Sequence, residues 1–224
     1  MSGTTTEVVY LKLKPGLDLS AGKTKEDWEA LLSTIKKQPG AKKLVWGRQI
    51  EHPDIVQIVE DWDSLESHVA FMESPAYQPF LKEVEKFIAA TPKLFHIRLP
   101  PSQVSPENNP FAAPITECKV IFFDPGYPEQ GYADRFSAFR DKTVQTPDVA
   151  VMGMAGAWSI EEQEEEMLNG VFDKGKPFVV FVGWPNVEAS SGFKDVDGFR
   201  DVMGYPGEEW VGTKFWHVAF KEHR

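Results

Sequence analysis

The sequence predicts an α+β fold made of two β-α-β-β-α-β repeats fused in one chain. Three internal echoes predict it. "TEVVYLKL" (Thr6 to Leu13) returns as "TECKVIFF" (Thr116 to Phe123). "VQIVEDWDSLES" (Val56 to Ser67) aligns without gaps to "FVVFVGWPNVEA" (Phe178 to Ala189), which sets Trp62 on Trp184 and Glu66 on Glu188. "KLFHIRL" (Lys93 to Leu99) is nearly copied by "KFWHVAF" (Lys214 to Phe220), histidine included.

The elements follow in order. Each repeat opens on a strand rich in β-branched and aromatic residues. In the first repeat, Thr24 can cap a helix in which Trp28, Leu31, Leu32 and Ile35 form an apolar stripe and Gly40 marks the stop. In the second, "YADRFSAFRDKTV" does the same with Phe136, Phe139 and Val144. The second strands are "KKLVWGRQI" and "VAVMGMAGAW", and the third strands are the gapless pair above. A second helix holds Phe71, Tyr77 and Phe80 in one repeat and Phe193, Phe199 and Val202 in the other. The histidine strands close the units. This is the ferredoxin-like arrangement, a four-stranded antiparallel sheet with both helices on one face.

The first repeat is expected to span residues 1–99 and the second 115–224. The Pro-, Ser- and Asn-rich stretch 100–114 reads as a linker. An insertion at about 159–176 carries five glutamates between Glu161 and Glu166, and reads as a solvated helix or loop, or as a lid. Each sheet keeps one bare face, so packing the two together would form an intramolecular α/β-barrel.

Composition narrows the function. Net charge is −10, with −1 on residues 1–99 and −9 on the remainder, which disfavours nucleic acid as a partner. No apolar run approaches the roughly 20 residues that span a bilayer, and the N-terminus lacks a secretory pattern, so a cytoplasmic location is expected. Cys118 is the single cysteine and permits no internal disulfide.

At this point the chain resembles the dimeric α/β-barrel superfamily, in which two ferredoxin-like units pack sheet to sheet. The stretch "WDSLESHVAFMESPAYQPFLKEVEKF" (Trp62 to Phe87) is similar to the antibiotic-biosynthesis monooxygenase branch. Trp62, Phe71, Ser74-Pro75, Tyr77 and Phe80 hold the places of that pattern. Phe71 stands where the branch often has histidine, and His68 lies one helical turn earlier. The second repeat keeps Trp184 and Phe193 but loses the Ser-Pro step, so the resemblance implies a site in the first repeat. It also implies that ligands lie between sheet and helices, and that a homodimer is possible.

The candidate chemistry rests on few residues. Histidine titrates near neutrality and can act as base or substrate anchor. Strand alternation puts Phe95, Ile97 and Leu99 opposite Leu94, His96 and Arg98. The bulkier set is expected against the helices, so His96 and its counterpart His217 are expected on the bare face, inside the barrel. His68, Phe71 and Met72 are spaced to share a helix face. His68 or His96 is the expected base, and Tyr77 and Trp62 are expected donors or pocket walls. Trp46, Tyr10, Phe71 and Phe80, with His217, complete the expected substrate surface. His52, in "EHPD", and His223, near the C-terminus, read as exposed.

No His, Cys, Asp and Glu grouping has zinc-site spacing, so no metal is expected. "GMAG" (Gly153 to Gly156) does not fit a nucleotide loop. The reading that follows is an enzyme needing no cofactor, which oxygenates, cyclises or isomerises an aromatic or polyketide-like substrate of secondary metabolism by removing a proton. The alternatives are a non-catalytic protein that binds an apolar ligand or a partner, and a haem enzyme using one histidine.

Overall fold

The computed structural model of the chain describes residues 4–124, 126–146, 149–166, 172–191 and 210–224. In chain order, the first repeat comprises β1 (Thr5–Lys12), α1 (Gly22–Lys36), β2 (Ala41–Arg48), β3 (Ile55–Trp62), α2 (Leu65–Met72), α3 (Tyr77–Val84) and β4 (Lys93–Ile97). The second comprises β5 (Ile115–Phe122), α4 (Glu129–Val144), β6 (Gly153–Trp158), β7 (Gln163–Glu166), β8 (Phe172–Gly175), β9 (Phe178–Trp184), α5 (Val187–Ser191) and β10 (Gly212–Val218). A last strand, β11 (Lys221–His223), ends the chain. The sheet orders are β11-β2-β3-β1-β4 and β10-β5-β9-β6. Apart from β11, both follow the order of a β-α-β-β-α-β unit, with the first and third strands central.

Two compact units result, Met1–His96 with Lys221–Arg224, and Ile97–Phe220. In the first, the core fills the helix-covered side of the sheet. Trp28 of α1 is fully buried and meets Trp46 and Phe87 edge-on, each at 5.3 Å between ring centroids. Burying each such side chain stabilises by about 1.5–3 kcal/mol. In the second unit, Tyr132 and Phe136 of α4 pack on Phe178 of β9 in the same manner, at 4.9 and 5.0 Å.

Local expectations needed several corrections. α1 starts at Gly22 with Ala21 as its N-cap and no side-chain cap, because the left-handed Gly22 (φ 61°) turns the chain into the helix before Thr24 is reached. Ser74 and Pro75 divide the expected second helix into α2 and α3, since proline restricts the residue before it. Met72 is 39% exposed and does not share the buried face of His68 and Phe71. The acidic insertion, where described, is neither helix nor coil. It forms an antiparallel ribbon in which Gln163 faces Gly175 and Glu166 faces Phe172. The counterpart second-helix residues Phe193, Phe199 and Val202 lie outside the described residues.

Residues 100–114 hold two short 3-10 turns, Pro101–Gln103 and Pro110–Ala112. They fasten to the second unit: Gln103 Oε1 accepts from Gly156 N (2.9 Å), and Thr116 Oγ1 donates to Pro110 O (2.8 Å). "GMAG" is explained by that packing. A Cβ on Gly153 would stand 2.5 Å from Asn108 O.

His223 is buried rather than exposed. β11 pairs antiparallel with β2, His223 opposite Leu44. Its ring lies 3.0 Å from Ser33 Oγ and 3.1 Å from Glu29 Oε2, both on α1. Among the described residues, no helix is long and apolar enough to cross a membrane.

The turn from α1 into β2 depends on Gly40 (φ 89°), whose carbonyl accepts from Asp63 N at 2.8 Å. A Cβ there would stand 2.6 Å from both Asp63 Oδ1 and Ser67 Cβ. We expect Gly40→Ala to cost about 1–3 kcal/mol from the left-handed backbone alone, and more through the contact with α2. Urea unfolding checks this; an unchanged midpoint would show that the turn can relax at no cost.

Candidate active site

β1 and β3 pair so that Glu7 stands directly opposite Glu60. Alternation then turns Glu7, Val9 and Leu11 of β1, and Ile58, Glu60 and Trp62 of β3, toward the helices. There they line a pocket closed by His68 and Phe71 of α2 and by Tyr77 and Phe80 of α3. α2 is started by Ser64, whose side chain accepts from Ser67 N, and this cap directs the first turn that carries His68. The cavity is about 70 Å³ and its walls are mainly apolar.

At its polar end four side chains form a chain. Trp62 Nε1 donates to Glu7 Oε2 at 3.1 Å. The same oxygen lies 3.6 Å from His68 Nε2. On the far side of the ring, His68 Nδ1 is 2.7 Å from His96 Nε2. Glu7, His68 and His96 are 7%, 3% and 4% exposed. One proton lies in the His68–His96 bond, and the tautomer decides its owner. If His68 Nδ1 holds it, Nε2 presents a lone pair toward the pocket. If His68 is doubly protonated, it donates to His96 on one side and faces the Glu7 carboxylate on the other.

His96 therefore points to the helix-covered face, which corrects the expected orientation. The bulky partners Phe95 and Ile97 take the opposite face. Phe95 meets Tyr10 there at 6.0 Å, so Tyr10 does not line the pocket. Polar demand outweighs bulk in setting this face, because His96 finds its hydrogen-bond partner on α2. His217 repeats the orientation: its Nε2 lies 2.9 Å from Ser190 Oγ on α5. Trp46 is a core residue against Trp28 rather than a pocket wall. Trp62, His68, Phe71, Tyr77 and Phe80 are brought together as expected, with Trp62 and His68 rings 5.0 Å apart and Phe71 and Tyr77 edge-on at 5.3 Å.

Two acidic residues were missed from sequence. Glu7 and Glu60 are each a lone acid in a strand of otherwise apolar inward positions, and that was the available signal. Burial, then the negative charge of Glu7, pushes the Glu60 carboxyl up to about 9, so it is neutral at physiological pH. Tyr77 is raised above its ordinary value, first by burial and then by Glu7, so its phenol stays protonated and can donate. Asp61, on the opposite face, is raised by burial despite accepting from Thr6 Oγ1 at 2.7 Å.

Glu7, His68 and His96 also offer ligand atoms that all lie within 4.8 Å of one another, a grouping invisible in their sequence spacing. Two histidines and a carboxylate suit zinc or ferrous iron in kind. The 2.7 Å between the histidine nitrogens is a hydrogen-bond distance. Two nitrogens on a tetrahedral metal stand about 3.3 Å apart. The cluster as folded is thus arranged for a shared proton, and a metal would require the rings to separate.

The second unit holds the same positions with different chemistry. Glu117 replaces Glu7 and pairs with Lys119 Nζ at 3.3 Å. Its cross-strand partner is Val182, where the first unit has Glu60. Ser190 stands at the place of His68. A larger cleft of about 480 Å³ does occur in this unit, lined by residues such as Arg98, Gln103 and Trp158. It is more open, and Gln103 and Trp158 each already make a hydrogen bond to backbone. The smaller pocket is where base, acid and aromatic walls converge.

Residues 6–83 match the family model described as antibiotic biosynthesis monooxygenase. The match takes in Glu7, Glu60, Trp62, His68, Phe71, Tyr77 and Phe80, and ends before His96. A comparison with curated protein sequences finds no match. Among solved structures, an anthrone oxidase-like protein is 10% identical with a TM-score of 0.66, covering 100% of this chain and 94% of its own. A candidate monooxygenase from Fusobacterium nucleatum is 11% identical with a TM-score of 0.62, covering 99% and 94%. A candidate chlorite dismutase is 12% identical with a TM-score of 0.60, covering 99% and 96%. At these identities the likeness is one of fold. The first repeat thus matches the antibiotic biosynthesis monooxygenase model, within a chain whose fold is shared over nearly its full length with these structures.

Proposed function

We propose that the first unit is a monooxygenase-like active site for a small, electron-rich aromatic substrate. The observation that carries this reading is the buried Glu7–His68–His96 chain opening onto an aromatic-walled cavity. His68 Nε2 takes a proton from a phenol or an activated CH group. The imidazolium that forms is held between His96 Nε2 and the Glu7 carboxylate, so its charge is compensated as it appears. Trp62 keeps the Glu7 carboxylate in place through its indole N–H. The deprotonated substrate can then give an electron to O₂ without a bound cofactor. A cavity of about 70 Å³ lies well below the about 300–1,000 Å³ of ordinary ligand sites. Entry therefore requires α3 to shift, and that helix is exposed on the side away from Tyr77 and Phe80.

The name of one structural neighbour supplies a test substrate. Anthrone has an acidic CH₂ flanked by two rings, and its oxidation by O₂ yields anthraquinone and water. Purified protein should consume oxygen with anthrone and form anthraquinone, detected by mass spectrometry. His68→Ala should lower kcat by about 10²-fold or more, the range for loss of a general base. Failure of both, with only saturable quenching of tryptophan fluorescence, would favour a ligand carrier. A Soret band on adding haemin would favour the haem reading.

Glu7→Gln keeps the size of the side chain but removes the charge that balances the His68 imidazolium. It should lower kcat about tenfold or more while leaving KM within a few-fold. A change confined to KM would place Glu7 in substrate binding instead.

A further inference from the structure

The mechanism above uses a base but leaves one buried group without a task. Glu60 is 1% exposed, and its Oε1 has no hydrogen-bond partner among the described residues. It lines the same cavity as His68 and stands opposite Glu7 on the adjacent strand. Two carboxyl groups on directly opposed residues in an apolar setting hinder each other's ionisation. Glu7 has the N–H donor of Trp62, so it takes the charge and Glu60 keeps the proton. An acid that can donate, enclosed in a cavity with an uncommitted oxygen, is a binding group awaiting an acceptor. The second unit sharpens the point. At the same place in the ladder it has Val182, and there Lys119 neutralises Glu117. The fold does not need a carboxyl at this position.

We propose that the Glu60 carboxyl group donates a hydrogen bond to the ligand oxygen on which negative charge gathers when His68 removes its proton. The site thereby selects planar phenols and enolisable ketones, whose oxygen can accept from Glu60 while the acidic hydrogen faces His68. The proton leaves the substrate for His68 Nε2, and the electron pair of the broken O–H or C–H bond moves onto the oxygen held by Glu60. Glu60 itself does not change protonation state. This inference rests on the reading of the pocket as a proton-abstracting site.

The charged groups acting on Glu60 are Glu7 on β1 and Lys36 on α1, with Asp61 on the other face of β3; Glu7 and Asp61 hold its proton on and Lys36 opposes them. His68 and Tyr77 face it across the cavity. The donor is present below about pH 9 and is lost as pH rises through that value.

The probe is 4-nitrophenol, whose hydroxyl is already ionised at both pH 8 and pH 10. Its visible absorbance reports binding without any turnover. The full-length chain should bind it at pH 8 and bind it at least tenfold more weakly at pH 10, where an ionised Glu60 repels it. Glu60→Gln, which keeps an N–H donor that does not titrate, should bind at both pH values within a few-fold. Glu60→Leu should bind weakly at both, although it matches the valine-like packing of the second unit. Thermal unfolding of the same proteins reads the ionisation separately. Stability should fall from pH 5 to pH 9 in the parent, because the unfolded carboxyl ionises and the folded one does not. Glu60→Gln should reduce that fall. A flattened stability profile with unchanged 4-nitrophenol binding would make Glu60 a structural acid and overturn the proposal, as would absence of binding to the parent. These readouts do not use oxygen chemistry, so they stay distinct from failure of the anthrone assay.

Discussion

A carboxylate buried in the middle of an antiparallel sheet has to be surrounded by donors, and Glu7 sets that demand here. Its position on the central strand β1 faces the helices, away from water. Trp62 answers with its indole N–H from the end of β3, and His68, on the first turns of α2, stands beside the carboxylate that balances its charge once it takes up a proton. His68 must then place its second nitrogen, and His96 on the edge strand β4 receives it. Four elements are tied to one another by the need of a single charge. Uncompensated, that charge would cost several kcal/mol. The opposing Glu60 meets the same problem by staying protonated. Two neighbouring residues of one chemical type thus differ in protonation because Glu7 accepts from Trp62, while Glu60 Oε1 has no partner among the described residues.

The duplication shows how little of this is required by the fold. Both units keep the inward glutamate, the strand-exit tryptophan and the closing histidine. The second unit exchanges His68 for Ser190 and Glu60 for Val182, and adds Lys119 beside Glu117. The seam between helix and sheet survives, since Ser190 still meets His217. The arrangement able to move a proton does not. A serine at this distance can fasten the helix to the strand, but it is not a base at neutral pH.

Much of the fold was legible in the sequence because repetition turns weak local signals into strong ones. The gapless alignment around Trp62 and Trp184 placed two strands, two turns and two helix starts at once. Trp62, His68, Phe71, Tyr77 and Phe80 were legible as a group because they lie within a short, regularly spaced segment. Glu7 and Glu60 were not, because their meaning lies in a strand pairing that brings together residues more than fifty positions apart. The facing of His96 was misjudged for a related reason. Side-chain bulk argued for Phe95 against the helices, while the deciding contact came from α2. The burial of His223 could not be foreseen, since nothing local to a C-terminal tail names the strand it will join.

That tail gives the molecule an order of assembly. β11 follows the whole of the second unit in sequence, yet it completes a sheet whose other strands belong to the first hundred residues. Until it arrives, β2 offers a bare edge of unpaired backbone, the kind of surface on which strands from other molecules pair wrongly. The first unit, which holds the candidate site, is therefore the earlier to be synthesised and the later to be finished. A chain broken off between Ile97 and Phe220 would carry every residue of the pocket and still lack the strand that pairs with the edge of its sheet. Through main-chain hydrogen bonds, the strap ties the sheet that carries the site to a segment more than a hundred residues downstream of it.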